Sequence, residues 1–334
     1  MIIDAFLGLN EIPLADFRIR YLSNIVDKTI ILESKTTHSG NPKDLHFTNW
    51  LLSGKMKDFD IEVIYVDLKG VEGSWNRERQ SRDYLVSYIY SRYPDSTFLL
   101  TDLDEIPSRE QLTQVIHRLS NPVHLHTPTA YRYGNFMLNS KVGSGWRRAV
   151  LSKTSYTKLP QGGRYEKLPL GNSDFSGIHL SHLRFSPESI EYKLNSFAHI
   201  ELGNRQLGST ELLDYCDYWL IDHLGRFFTE NQGLLELRHL KSFSEIQLEM
   251  WNMNECWFKF PDTQPKIKRL LASMTVTRIA SNVAHLPDPL FSFENGSQLR
   301  HREILGTLNW LGLELLRIIQ RKLSKILKIV SRIF

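Results

Sequence analysis

Short apolar runs alternate with amphipathic stretches over the first 120 residues. Strands are predicted at residues 2–7, 26–33 and 61–66, and a fourth begins at Ser96, because each is a short run rich in apolar and β-branched residues. Between them, apolar side chains recur at three- and four-residue spacing and predict helices over residues 14–24 and 77–93. Strands alternating with helices indicate an α/β fold with a largely parallel, Rossmann-type sheet.

The pattern changes after residue 120. Strands are predicted at residues 123–126, 131–138 and 146–151, and helices from residue 186 to about 201 and over residues 210–228. The change predicts a division of the chain near residue 120. A mainly helical extension follows over residues 206–304.

Residues 305–334 are predicted to form a basic amphipathic helix. Apolar side chains occupy one helical face and basic side chains another, and residues 317–334 contain no acidic residue. Such a helix suits an anionic membrane surface. Packing of the helix on its own domain or on a partner subunit is the alternative.

Composition narrows the class of protein. The 334-residue chain is 41% hydrophobic and 23% charged, with a formal net charge of +4, as in soluble globular proteins. The basic residues are not concentrated across the globular part, so no nucleic-acid partner is expected. Two distant cysteines give no disulfide framework and suggest a reducing compartment. Neither a signal peptide nor a run of about 20 apolar residues is apparent.

The fourth strand carries the candidate chemistry, because it runs into Asp102-Leu103-Asp104. Alternation along an extended chain places both carboxylates on one face. Paired carboxylates are suited to Mg²⁺ or Mn²⁺, which also take phosphate oxygens, and α/β sheets bind ligands beyond the carboxyl ends of their strands. A metal–diphosphate site is therefore predicted, with a solvated turn as the alternative. Ser108 and Gln111 then form a capping box that starts a helix.

Arg82 lies on the inward face of the helix predicted at residues 77–93. A buried guanidinium is costly unless it is paired. Glu78, one turn earlier, is one candidate partner, and a substrate diphosphate is the other.

Several further pieces stand in a characteristic order. They are Asn10-Glu11, residues 30–34, residues 37–43, Trp75 with Glu78 and Arg82, residues 101–107, Gly177-Ile178-His179-Leu180-Ser181, Lys193 and residues 196–201. Over residues 2–205 this ordered set resembles glycosyltransferase family 17, in its bacterial type. The resemblance implies a catalytic domain over residues 1–205, with a nucleotide-sugar-binding half at 1–120 and an acceptor half at 121–205. Ile178 stands where the family pattern has Trp, so the acceptor of the animal enzymes is not carried over.

The resemblance implies a GT-A fold and inverting transfer from a UDP-sugar. UDP-GlcNAc is the first candidate for this donor. The resemblance also implies Mn²⁺ or Mg²⁺ at Asp102 and Asp104, with His179 as third ligand and His199 as its alternative. Donor binding is expected to involve these side chains as well: Glu33 near the uridine, Arg82 on the diphosphate, His38 and Lys193. Inversion needs a base, and the candidates are Glu201, Glu105 and Asp174, in that order.

These expectations combine into a cytoplasmic glycosyltransferase that is peripheral on the inner face of the plasma membrane. Its acceptor would be a glycan or glycolipid of a bacterial surface polysaccharide such as lipopolysaccharide. The alternative function is a non-catalytic protein that binds nucleotide-sugars or glycans on the same fold. A phosphatase that uses the aspartate pair as nucleophile and acid is disfavoured, because such an enzyme would have a Thr shortly after the pair, whereas Glu105-Ile106-Pro107 follows here.

Overall fold

A computed structural model describes residues 1–138, 146–186, 188–199, 210–220 and 235–260. The strands are β1 (Ile2–Leu7), β2 (Lys28–Glu33), β3 (Ile61–Tyr65), β4 (Thr97–Asp102), β5 (Glu105–Ile106), β6 (Val123–Thr127), β7 (Thr129–Tyr131), β8 (Phe136–Leu138), β9 (Trp146–Lys153), β10 (Ile178–Ser181) and β11 (Leu235–Leu237). The helices are α1 (Ile12–Leu22), α2 (His46–Leu52), α3 (Ser74–Arg92), α4 (Arg109–His117), α5 (Ser189–Ser196), α6 (Thr210–Trp219) and α7 (Glu245–Met253). Short 3₁₀ turns span Pro160–Gly163, Leu240–Ser242 and Glu255–Trp257.

The main sheet has the strand order β3-β2-β1-β4-β9-β6 within the described ranges. The first four strands are parallel, and β9 and β6 join antiparallel. The prediction of a mixed α/β fold is therefore confirmed. Parallel order brings the carboxyl ends of β1, β2 and β4 to one edge, where ligands bind in sheets of this kind.

Helices cover both faces of the main sheet and bury its apolar side chains. On one face, α3 packs Leu85, Val86 and Ile89 against apolar residues of β1, β2 and β4. On the other face, α1, α2 and α4 form a continuous core with Phe6, Ile31 and other sheet residues. Burial on both faces is typical of parallel strands joined by helices.

A second sheet, in the order β11-β8-β7-β10-β5, lies beside the end of β4. It begins at β5, immediately after the acidic turn, and β10 pairs antiparallel with β5. The Leu180 N–H donates to the carbonyl oxygen of Asp104 at 2.8 Å. This bond brings the β10 residue His179 to the acidic turn. Because β11 pairs with β8, part of the predicted C-terminal extension belongs to this sheet.

The structure corrects several predicted boundaries. Strand β4 ends at Asp102, and residues 103–104 form a turn, so the two aspartates do not share a strand face. The predicted strand at 131–138 divides into the end of β7 and β8, which pair with each other. Helix α2 was not predicted. Its first amides are capped by Glu33, which is remote in sequence, so no local cap marks its start.

Several predictions fall outside the described residues. These are the candidate base Glu201, the boundary at residues 205–206, the end of the helix predicted to reach residue 228, and residues 261–334 with the basic amphipathic helix. Among the described residues, no helix combines the length and apolar character needed to cross a bilayer.

Candidate active site

The turn after β4 is held by Arg18, which is fully buried on α1. Its Nη1 donates to the carbonyl oxygens of Asp102, Leu103 and Glu105 at 2.9, 3.0 and 3.0 Å. Its Nη2 and Nε bind the carboxylate of Asp4 on β1 at 2.6 and 2.8 Å. Three carbonyls that converge on one guanidinium fix the turn and end the strand, which is why the carboxylates of Asp102 and Asp104 have different neighbours.

Asp102 lies between two arginines. Its Oδ1 is 2.9 Å from Arg82 Nη2, and its Oδ2 accepts a hydrogen bond from Arg164. Burial alone would raise the pKa of Asp102, but the ion pairs with Arg164 and Arg82 outweigh it and hold that pKa below its usual range. With 33% of its side chain exposed, Asp102 is an ionised group at the rim of the site.

Within the described ranges, each of the two arginines keeps one buried donor atom without a hydrogen-bond partner. Arg82 donates to Glu78 Oε1 from Nε and Nη2, at 3.2 and 3.0 Å, whereas its Nη1 is unpaired. Arg164 binds both oxygens of Glu105, at 2.6 and 2.7 Å, whereas its Nε is unpaired. A buried donor without a partner costs roughly 1–3 kcal/mol. An oxygen of a ligand that reaches the site would satisfy the Nη1 of Arg82, whose Nη2 already pairs with Asp102.

Arg164 was missed by sequence reasoning, which identified only a loop at Gly162-Gly163. Both glycines have positive φ, of 67° and 86°, a region that other residues rarely adopt. A Cβ on Gly162 would lie 2.3 Å from Leu100 Cδ2. The two glycines thus let the chain turn tightly against β4, and the next residue reaches Asp102.

Asp104 faces a different cation. Its Oδ2 is 2.7 Å from Lys193 Nζ of α5, and the same ammonium is 3.2 Å from Glu11 Oε1. Burial lowers the pKa of Lys193, but Asp104 and Glu11 outweigh burial and raise it above the usual range. The predicted residue Lys193 thus joins the aspartates. Glu11 was quoted only as part of a motif, and the structure adds it to the site.

His179, the predicted third metal ligand, lies beside Asp104. Its Nε2 is 3.8 Å from Asp104 Oδ1, and its Nδ1 is 3.4 Å from Thr129 Oγ1. The alternative ligand, His199, instead packs edge-on against Trp75, with ring centroids 4.5 Å apart. His179 thus lies next to Asp104, where a metal ion held by both side chains would sit.

The acidic centre offers few ready ligands for Mg²⁺ or Mn²⁺. Within the part of the chain that the structure describes, no three His, Cys, Asp or Glu side chains form a ready metal cage. Such ions are commonly held by one or two carboxylates together with waters and substrate phosphates. Asp104 fits that pattern as a carboxylate ligand, and His179, 3.8 Å from its Oδ1, would add a nitrogen ligand. Both oxygens of Asp102 already pair with arginines, so Asp102 would share its charge with them.

Two of the carboxylates that were predicted to act in the site already bind other groups of the protein. Glu33 accepts from the backbone N–H of Phe47 at 2.9 Å and of Thr48 at 3.0 Å, so it caps α2. Glu105 is fully buried and binds Arg164 through both oxygens, and its Oε2 also accepts the Asp102 N–H at 2.9 Å. The carboxylate of Glu33 is thus committed to a helix start, and that of Glu105 to fixing Arg164.

The remaining candidate residues are His38, which lies near Glu78, Arg82 and Asp102, and Asp174. The carbonyl oxygen of His38 accepts from Arg77 Nε at 2.6 Å. Burial lowers the pKa of His38 to about 4 despite the nearby Glu78 carboxylate, so the imidazole is neutral at pH 7. Asp174 is exposed on the loop before β10, where its N–H donates to Gln114.

The departure from the family pattern at Ile178 does not alter the surface of the site. Ile178 is 1% exposed and belongs to the core, where it pairs with Ile106. Its neighbour Gly177 is required by packing, because a Cβ there would lie 2.2 Å from the carbonyl oxygen of Ile106. Position 178 thus packs the second sheet while His179 faces the aspartates.

Fold and site together define an α/β protein with an arginine- and lysine-lined acidic centre at the carboxyl edge of parallel strands. The model of glycosyltransferase family 17 matches residues 1–215, and the chain belongs to this family. The resemblance seen in the sequence motifs is thereby confirmed.

Curated relatives carry the name β-1,4-mannosyl-glycoprotein 4-β-N-acetylglucosaminyltransferase. The human protein is 28% identical over 231 residues, which cover 58% of this chain and 43% of the human protein. The rat protein is 28% identical, and the match covers 58% of this chain and 42% of the rat protein. The chain thus spans less than half the length of these relatives.

Proposed function

We propose that this chain transfers a sugar from a UDP-sugar, with UDP-GlcNAc as the first choice, to a glycan or glycolipid acceptor with inversion. The observation that carries the proposal is the unpartnered, buried Nη1 of Arg82 beside Asp102, at the sheet edge where α/β folds bind ligands. Membership of glycosyltransferase family 17 supports glycosyl transfer. The names of the mammalian relatives support the choice of GlcNAc.

Three cationic side chains would neutralise the negative charge of the donor diphosphate. The guanidinium of Arg82 suits bidentate binding of a phosphate, and Arg164 adds a second guanidinium on the other oxygen of Asp102. Lys193 brings a point charge next to Asp104. With Mn²⁺ or Mg²⁺ bound at Asp104 and His179, the site would gain further stabilisation of the departing diphosphate.

Inversion requires a base that accepts the proton of the acceptor hydroxyl. Glu201 remains our first candidate and lies outside the described residues. Asp174 is exposed and has no carboxylate bond among the described contacts, so it ranks second. Glu105 falls to third, because protonation would break its ion pair with Arg164.

Substitution of Arg82 by lysine tests the donor site. The charge is kept, but the fork that binds two phosphate oxygens is lost, so affinity for UDP and for UDP-GlcNAc should fall about tenfold, a change of roughly 1.4 kcal/mol. Calorimetric titration of both ligands with Mn²⁺ present measures the effect.

The matched control for Arg82 is Arg79→Lys, which alters an exposed arginine on the same helix. Its affinities should equal those of the wild type. Equal affinities for Arg82→Lys would return Arg82 to a structural role beside Glu78. A wild-type protein that binds UDP-GlcNAc but neither hydrolyses nor transfers it would support the non-catalytic alternative.

We further propose that the chain is cytoplasmic, is attached to the inner face of the plasma membrane and serves bacterial surface-polysaccharide synthesis. The support is the basic and apolar patterning of residues 317–334. Removal of the residues after Leu313 should abolish sedimentation with anionic vesicles while hydrolysis of the donor continues. Neutral vesicles are the control, and unchanged sedimentation of the truncated chain with anionic vesicles would contradict the attachment.

A further inference from the structure

Trp146, the first residue of β9, is partly exposed beside the acidic centre. Its relative exposure is 39%. Other tryptophans are more enclosed: Trp50 and Trp257 are buried, and Trp75 and Trp251 are half-buried. Isolated exposed apolar residues are common on protein surfaces, so Trp146 is distinguished by its contacts and its position.

The indole of Trp146 is held in place. Its Nε1–H donates to Glu105 Oε1, and Glu105 is itself fixed by both Nη atoms of Arg164. The ring also packs on the imidazole of His179, with centroids 4.9 Å apart and planes 32° apart. A surface tryptophan with a free side chain would have neither constraint. This ring is therefore presented in one orientation.

The position of the ring connects it to both aspartates. Glu105, its hydrogen-bond acceptor, also accepts the backbone N–H of Asp102. His179, its packing partner, is 3.8 Å from Asp104. A sugar attached to a diphosphate at these residues, or an acceptor sugar approaching it, would come close to the indole.

We propose that Trp146 is a platform on which the apolar C–H face of a pyranose ring lies. Ligand sites commonly combine an aromatic wall with a few polar groups that fix orientation, and here the aspartates and His179 supply the polar groups. The inference rests on the proposed glycosyltransferase function. The pyranose belongs to the donor or to the acceptor, and the two sources are separable by experiment.

The test compares Trp146→Ala and Trp146→Phe in the full chain. For the donor, calorimetry gives the affinity for UDP-GlcNAc and for UDP. For the acceptor, saturation-transfer NMR follows methyl glycosides of GlcNAc, glucose and galactose in the presence of UDP. Tyr84→Ala is the control, because Tyr84 is 43% exposed on α3.

We expect UDP affinity to stay within about twofold in every variant, while sugar binding falls about tenfold in Trp146→Ala and much less in Trp146→Phe. Loss confined to UDP-GlcNAc assigns the platform to the donor sugar, and loss confined to the glycosides assigns it to the acceptor. Unchanged sugar binding overturns the inference. So does a phenylalanine variant as weak as the alanine one, because the hydrogen bond to Glu105 would then be the essential contact. Failure of the wild type to bind UDP would overturn the proposed function instead.

Discussion

Replacement of Arg18 by methionine is expected to lower the free energy of unfolding by about 3–5 kcal/mol, the usual cost of removing one partner of a buried ion pair. Arg18 is fully buried and holds the carboxylate of Asp4, which is 1% exposed. The substitution leaves that carboxylate uncompensated. It also leaves three turn carbonyls without their donor. Urea denaturation followed by circular dichroism measures the change.

Arg20 provides the matched control on the same helix. Its side chain is 50% exposed and pairs with Asp16 one turn away, and exposed pairs of this kind contribute only about 0–1 kcal/mol. Arg20→Met should therefore unfold nearly as the wild type does. If Arg18→Met were equally stable, the assignment of Arg18 as the organiser of the acidic turn would be wrong.

The sequence predicted the elements whose signals are local. Strands β1 to β4 are short apolar runs, and this pattern directly reflects burial on both faces of a parallel sheet. The inward position of Arg82 followed in the same way from helical spacing, and the side chain is indeed buried. Its two candidate partners were left open, and the structure supplies one, Glu78, with Asp102 added.

Contacts between distant residues could not be predicted in this way. Arg164 reaches Asp102 across 62 positions, and Trp146 reaches Glu105 across 41. Neither residue lies in a pattern that marks it, because the fold alone brings β9 and the turn after it to β4. The same holds for Glu33, whose place at a strand end suggested a ligand but whose carboxylate caps α2.

The geometry of the two aspartates depends on one such contact. Alternation along a strand placed Asp102 and Asp104 together, and that reasoning would hold if β4 continued. Arg18 ends the strand at Asp102, so Asp102 meets two arginines whereas Asp104 meets Lys193 and His179. Each carboxylate already has its own counter-charge. Removing one should therefore not stabilise the protein by relief of repulsion.

Under the proposed function, Asp104→Asn is expected to reduce transfer and donor hydrolysis by about 10²-fold or more, because an amide does not supply the negative charge that a metal ion bound with the donor diphosphate would require. Asp104 has His179 beside its Oδ1, and its Oδ2 pairs with the ammonium of Lys193. Asp102→Asn should lose comparable activity for another reason. It leaves Arg82 and Arg164 with only Glu78 and Glu105, so it should also lower the melting temperature more than Asp104→Asn does.

Three measurements on each variant separate these roles: donor hydrolysis with and without Mn²⁺, melting curves of the metal-free protein, and the rise in melting temperature on addition of Mn²⁺ with UDP. A ligand that binds only the folded state raises that temperature, so the rise should vanish in Asp104→Asn. Asp95→Asn is the control, since Asp95 is exposed before β4 with φ of 62°, a conformation that asparagine tolerates. Full activity of Asp104→Asn, or wild-type activity that a chelator leaves unchanged, would exclude a metal-assisted role for this aspartate, and the donor would then be held by Arg82, Arg164 and Lys193 alone.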